Sequence, residues 1–211
     1  MEGFTSGKGT SESTPEEFKT GTTTVGIVAD EGVVLATDRR ASLGGRFVSN
    51  KNADKIIEVH PSAAITISGS VGAGQTFADQ LQAQTSLYET RRGTEMSMEA
   101  LSTTASNAIR GMRVVPLLGG VDESGGHLYS LDPAGGLMED TYGATGSGMQ
   151  MAYGVLEGKY EDGMSMDEAE EAALKAVKAA SARDTASGNG ALVARITSEG
   201  IEREELSAEE L

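Results

Sequence analysis

GTTTVGIVADEGVVLATDRR, residues 21–40, decides the fold class. Its first half, TTTVGIVA at 22–29, is β-branched and alternating. Its second, GVVLATDR at 32–39, is as apolar and follows a turn at Asp30-Glu31-Gly32. Two such runs separated by turn residues predict an antiparallel hairpin. The composition changes abruptly where the hairpin starts. Residues 1–21 are rich in Ser, Thr, Gly and Glu and carry no periodicity, so a disordered leader is expected there, with order beginning at Thr22.

The same logic extends outward. DKIIEVH (54–60) and AAITISGS (63–70) form a second strand pair around Pro61-Ser62. Helical spacing follows, with Phe77, Leu81, Gln84 and Tyr88 on one face and a stop near Gly93. Ser97 caps a second helix whose stripe is Met98, Leu101, Ala105, Ala108 and Met112. Strands return as RVVPLLGGVD (113–122), GHLYSLDP (126–133) and GLMEDTYGA (136–144). A helix over MQMAYGVLEGKY (149–160) precedes another that opens on a Ser165–Glu168 capping box and continues through Ala169, Ala173, Val177 and Ala180. GALVARIT (190–197) and GIEREEL (200–206) close the chain as a strand pair. Strands arriving in hairpins favour antiparallel sheets. Two such sheets face to face, each covered outside by a helix pair, bury every apolar face at once. The expected fold is therefore α+β, a four-layer αββα sandwich formed by residues 22–211.

Bulk composition removes several functional classes. With 211 residues, one domain can hold a full core. There is no Cys, and the two histidines, His60 and His127, lie far apart without ligand spacing, so neither thiol chemistry nor a metal site is expected. No run approaches the roughly 20 apolar residues of a membrane span, and residues 1–21 lack the apolar centre of a secretory signal. A cytoplasmic location is expected. The 32 acidic against 17 basic residues give a net charge of −15, which disfavours nucleic acid as a partner. So acidic a surface also suggests adaptation to high salt, where ions screen self-repulsion.

Familiar catalytic motifs are missing. Neither histidine has a GxSxG partner, and GSVGAG at 69–74 lacks the Lys-Ser/Thr of a phosphate loop. What remains is the Gly21-Thr22 junction between leader and fold. A hydroxyl nucleophile without His can use an α-amino group as its base, since the unperturbed amine pKa is about 7.7–8.0. Thr22 would then have to become residue one by cleavage after Gly21. Taken alone, these residues are more simply strand sequence.

The rest of the chain changes that weighting. From Thr22 to about Thr197 the sequence resembles proteasome β-type subunits, within the N-terminal-nucleophile hydrolases. The resemblance rests on eight separated blocks in order: GTTTVGI (21–27), ATDRRAS (36–42), KNADKI (51–56), SGSVGAG (68–74), GGVD (119–122), ATGSG (144–148), YGVLE (153–157) and RDTASGNG (183–190). It implies the αββα fold and a threonine endopeptidase that removes residues 1–21 by autocatalysis. Thr22 matches the nucleophile and Lys55 the lysine that lowers neighbouring pKa values. Asp38 matches the acid paired with that lysine. Ser147, Asp184 and Ser187 match the group that orients the amine and a water. Gly69 N–H matches the oxyanion donor, and Ala41, Ala53, Ile67 and Val71 match walls of an apolar substrate pocket. Asp54, beside Lys55, is expected to point away by strand alternation. Also implied are stacked seven-membered rings of α-type and β-type subunits, an ATPase partner, unfolded polypeptide as substrate, and no cofactor or metal. Two readings stay open beside this one: a non-catalytic ring-building subunit, and another N-terminal-nucleophile amidohydrolase.

Overall fold

A computed structural model describes residues 21–211; the proposed leader, apart from Gly21, lies outside the described residues. The decisive hairpin forms as its alternation requires. β1 (Thr23–Ala29) runs antiparallel to β2 (Gly32–Asp38), with Thr24 opposite Thr37 and Ala29 opposite Gly32. Every residue of β2 is buried, because it lies inside its sheet and is covered on both faces. That explains why GVVLATD is almost continuously apolar rather than alternating. Its sheet has the order β10 (Tyr142–Gly146), β1, β2, β11 (Ala191–Thr197), β12 (Gly200–Leu206). The second sheet is β5 (Ile56–His60), β6 (Ala63–Thr66), β7 (Leu117–Asp122), β8 (Gly125–Leu131), β9 (Leu137–Asp140), and all its pairings are antiparallel.

Three apolar clusters separate four layers. Val25, Ile27, Val34 and Ala36 on the first sheet meet Ala169, Ala173, Ala176 and Val177 of α4 (Met166–Ser181), with Ala152 and Leu156 of α3 (Met149–Leu156). Small residues on α4 let it lie close to the sheet. Val33, Leu35, Leu192 and Ile196 face Leu117, Val121 and Leu128 across the sheet-to-sheet interface. Ile65 and Leu118 meet Phe77 and Leu81 of α1 (Val71–Arg92) and Leu101 and Ala105 of α2 (Met98–Ala108). Fully burying one such side chain contributes about 1.5–3 kcal/mol. The αββα sandwich is therefore the observed architecture. No helix among the described residues is long and apolar enough to cross a membrane.

The helix punctuation follows the sequence. Ser97 Oγ accepts from Ala100 N, the Ser165–Glu168 capping box is formed, and Gly93 ends α1 in the left-handed region at φ 69°. Other details differ. GLMEDTYGA is not one strand: β9 belongs to one sheet and β10 to the other, and the chain crosses between them at Thr141, whose carbonyl accepts from Val28 N. Alternation within a segment cannot report such a change of partner. The inward face of α1 contains Gly74, Ala78 and Thr85, while Gln84 is exposed. Thr85 is accommodated because its hydroxyl donates to Val59 O and Gln82 O. Met112 lies beyond the end of α2. A short hairpin of β3 (Ala41–Leu43) and β4 (Phe47–Asn50), not expected from the sequence, leaves the first sheet after Arg40.

Phe77 is wholly buried, so Phe77→Ala should cost about 3–5 kcal/mol. On the same helix Leu87 is 41% exposed, and Leu87→Ala should change stability by no more than about 0.5 kcal/mol. Urea unfolding of the two variants checks this, and comparable losses would contradict the assigned core face.

Candidate active site

The open end of the sandwich, where β1 starts and β2 stops, gathers the polar residues. Asp38, the last residue of β2, is fully buried and accepts four hydrogen bonds. Thr23 N (2.9 Å) and Lys55 Nζ (2.7 Å) donate to Oδ1; Arg40 N (2.9 Å) and Gly188 N (2.9 Å) donate to Oδ2. Lys55 precedes β5, and its side chain is 5% exposed. Burial pushes its ammonium below the ordinary lysine value of 10.5; the charge of Asp38 and its hydrogen bond act in the opposite direction. Asp54 is turned away, with both carboxylate oxygens accepting from Arg203 at 2.7 and 2.8 Å.

A second polar array lies against Thr22 from the other side. Thr22 is 4% exposed, and its N–H, a peptide amide in the uncleaved chain, donates to Ser147 Oγ at 3.1 Å. Ser147 Oγ donates to Asp184 Oδ2 at 2.5 Å, and Ser187 Oγ donates to the same oxygen at 2.6 Å. Because the proton of Ser187 is committed to the carboxylate, the hydroxyl of Thr23, 2.7 Å from Ser187 Oγ, is the donor in that contact. Ser147 sits between β10 and α3, whereas Asp184 and Ser187 follow α4. Gly148 N donates to Thr22 O at 3.3 Å, and close packing fixes a glycine there, since a Cβ would lie 2.0 Å from Thr23 Oγ1.

Gly21 is held as tightly as the residue after it. Its N–H donates to Ser42 Oγ at 3.2 Å, and a Cβ at this position would lie 1.7 Å from Ala186 Cβ. Any side chain here would displace the loop that carries Asp184 and Ser187. Gly69 has φ 111° and forms an isolated bridge with Val114; a Cβ there would come within 2.6 Å of Arg113 O. Ala41, Ala53, Ile67, Gly69 and Val71 border one cavity of about 400 Å³ together with Lys55. All eleven sequence-proposed positions, with Gly21, thus lie at one end of the molecule. Among the described residues no cluster of His, Asp and Glu is arranged to hold a metal ion.

Sequence reasoning missed three contributors. Thr23 joins both arrays, through its amide to Asp38 and its hydroxyl to Ser187. Arg40 clamps the 184–190 loop, donating from Nε to Asn189 Oδ1 (2.9 Å) and from Nη1 to Thr185 O (2.8 Å). Ser42 receives the Gly21 amide. Thr23, Arg40 and Ser42 all fall inside the GTTTVGI and ATDRRAS blocks, so the signal was present but unassigned.

Comparison with known proteins identifies the family. The family model described as proteasome subunit matches residues 18–196. The chain belongs to the proteasome subunit family. Its relatives place it among the β-type members. It is 60% identical over 190 residues to the proteasome subunit beta of Halorhabdus utahensis, covering 89% of this chain and 81% of that one. It is 59% identical over 187 residues to the proteasome subunit beta of Halomicrobium mukohataei, and 57% identical over 187 residues to proteasome subunit beta 2 of Haloterrigena turkmenica. Each of these matches covers 87% of this chain and 79% of the relative. The acid excess, net −15, fits the halophilic archaeal origin of these relatives.

The two members of the buried ion pair differ in what they leave behind. Removing Asp38 strands a buried ammonium and three backbone donors, so Asp38→Ala should cost about 3–5 kcal/mol. Removing Lys55 leaves Asp38 with three backbone N–H partners, so Lys55→Met should cost less, about 1–3 kcal/mol. Urea midpoints of the two variants measure the difference; equal losses would mean that the backbone donors contribute little.

Proposed function

We propose that this proteasome β-type subunit is a threonine endopeptidase that acquires its base by cutting its own chain between Gly21 and Thr22. The observation that carries the proposal is the pair of arrays meeting at Thr22: Asp38 with Lys55 on one side, Ser147 with Asp184 on the other. In self-cleavage Thr22 Oγ attacks the carbonyl carbon of Gly21, and the C–N bond to Thr22 breaks with the hydroxyl proton ending on the freed nitrogen. Water then hydrolyses the resulting ester to a Gly21 carboxylate and the restored Thr22 hydroxyl. The freed α-amine remains against Ser147. In each later turnover it takes the Thr22 hydroxyl proton as Oγ attacks a substrate carbonyl, then passes that proton to the leaving amine. Water completes the cycle by hydrolysing the acyl ester, with the same amine as base. Lys55 supplies positive charge that favours the ionised form of the neighbouring oxygen, Asp38 fixes that charge, and Gly69 N–H receives the developing oxyanion. The apolar wall residues Ala41, Ala53, Ile67 and Val71 favour apolar side chains on the acyl side, since a charged group would lose hydration there without a partner.

The subunit works within proteasome rings alongside α-type subunits. The finer arrangement follows by resemblance: two inner seven-membered β rings between α rings, in the cytoplasm, with an ATPase feeding unfolded polypeptide to an interior chamber. A purely ring-building subunit has no use for the buried Asp38–Lys55 pair or for a glycine at 21 enclosed by Ala186 and Ser42. The β-type relatives argue against an amidohydrolase of another kind.

Thr22→Ala should keep residues 1–21 attached and reduce peptide hydrolysis to background, because the attacking oxygen is gone. Thr22→Ser should retain partial processing and activity. Intact mass of the assembled particles reads both results, and normal removal of residues 1–21 in purified Thr22→Ala particles would exclude self-cleavage. The pH profile supplies a second check. The amine must be neutral to act as base, and the neighbouring Lys55 charge favours that neutral form, so kcat/KM should rise with pH at a point below the free amine's value of about 7.7–8.0. Lys55 must stay charged, and its folded-state pKa lies below 10.5, so kcat/KM should fall before pH 10.5. The same sign makes the charged, buried lysine a cost to folding that is relieved as pH rises from its folded pKa towards 10.5. Activity still rising at pH 10.5 would contradict the role given to Lys55.

A further inference from the structure

Two cavities adjoin Gly69. One, of about 400 Å³, contains the proposed acyl-side walls. The other is larger, about 690 Å³, and its border includes Ser147, Asp184 and Ala186 together with Arg113, Val115 and Pro133. The mechanism proposed above, on which this inference rests, states which half of a substrate goes where. The leaving amine collects its proton from the Thr22 amine, and that nitrogen is held by Ser147, which in turn donates to Asp184. The departing half of the peptide must therefore run past Ser147 and Asp184, into the larger cavity.

The charges bordering the two cavities are disposed differently. In the smaller one, Lys55 is paired with Asp38 and Asp54 with Arg203. In the larger one, Asp184 is engaged, with Oδ2 accepting from two serine hydroxyls and Oδ1 from Ala186 N. Arg113 is exposed, and among the described residues it forms no ion pair, although acidic residues outnumber basic ones 32 to 17. Beside it, Val115 is 37% exposed and Pro133 adds a second apolar surface. A cation next to aliphatic surface suits a side chain with a methylene stem and a terminal carboxylate.

We infer that the larger cavity is a leaving-side subsite in which Arg113 selects substrates carrying an acidic residue, glutamate in particular, immediately after the cut. Selectivity there is electrostatic and solvent-accessible, and so modest: an exposed charge pair corresponds to about a two- to fivefold preference. It is independent of the apolar preference on the acyl side, so a favoured site has an apolar residue followed by an acidic one.

The test uses assembled, processed particles and three internally quenched peptides that share the same acyl half ending in Leu and differ only in the next residue: Glu, Gln or Lys. The expected order of kcat/KM is Glu, then Gln, then Lys, with a Glu-to-Lys ratio of about five that shrinks as salt is raised. Arg113→Gln should bring that ratio close to one, and Arg113→Glu should invert it. Ratios taken within a single preparation cancel any difference in the fraction of active sites, so a variant that assembles poorly still gives a decisive answer. A ratio near one in the unsubstituted protein, or the same ratio in both Arg113 variants, would overturn the subsite while leaving the peptidase intact. Failure to cleave any of the three peptides would overturn the peptidase and the subsite together.

Discussion

A single buried carboxylate organises the working end of this protein. Asp38 has no solvent contact, and its two oxygens collect donors from four places in the chain: Thr23 at the start of β1, Arg40 just past β2, Gly188 in the loop before β11, and the Lys55 ammonium before β5. An ionised group can occupy such a position only if its lone pairs are filled, because the cost of removing it from water is several kcal/mol. Here the requirement is met by three backbone amides and one charge. Those partners also tie the two sheets together at this end, since Asp38 belongs to one and Lys55 leads into the other.

Around that anchor the residues near Thr22 divide into two functions that do not share side chains. Lys55 and Asp38 form a compact charged pair. Ser147, Asp184 and Ser187 form a hydroxyl–carboxylate chain, with the donors all directed toward Asp184. Thr23 connects the pair to the chain, its amide serving one and its hydroxyl the other. The residue after the proposed nucleophile is thus fixed at two points, which limits the freedom of Thr22 itself. Steric exclusion supplies the remaining restraint: Ala186 leaves no room for a side chain at 21, and Thr23 leaves none at 148. In the proposed self-cleavage this restraint precedes the cut, so the new terminus would not have to be ordered afterwards against its entropy.

The layers behind the site account for its rigidity. β1 and β2 carry Thr22 and Asp38 at adjacent ends of one hairpin, and both strands are buried on two faces. Small residues on α4 and the glycine at 26, against which Leu128 packs, let neighbouring layers approach closely. Movement of either strand end would require displacing side chains from a close-packed interior.

The sequence by itself determined the layer order, the strand pairs at 22–39, 54–70 and 190–206 and the helix caps at Ser97 and Ser165, and it singled out the polar residues proposed for the site. Each of these depends on local chemistry: alternation for strands, a serine hydroxyl before an apolar stripe for a cap, and short blocks spaced along the chain for the family resemblance. It did not determine which sheet a strand joins. β9 and β10 are separated by Thr141 alone, yet they pair with different sheets, and nothing within the segment GLMEDTYGA distinguishes the two destinations. It also failed at Gln84 and Thr85, because a threonine becomes a core residue only when a carbonyl such as Val59 O is present to accept its hydroxyl. The connecting roles of Thr23 and Arg40, and the larger cavity beside Arg113, belong to the same class. They arise from residues up to 164 positions apart that only the packed sheets bring within hydrogen-bond distance. Tertiary structure alone decides them, because hydrogen bonds and cavities depend on distance in space, which separation along the chain does not encode.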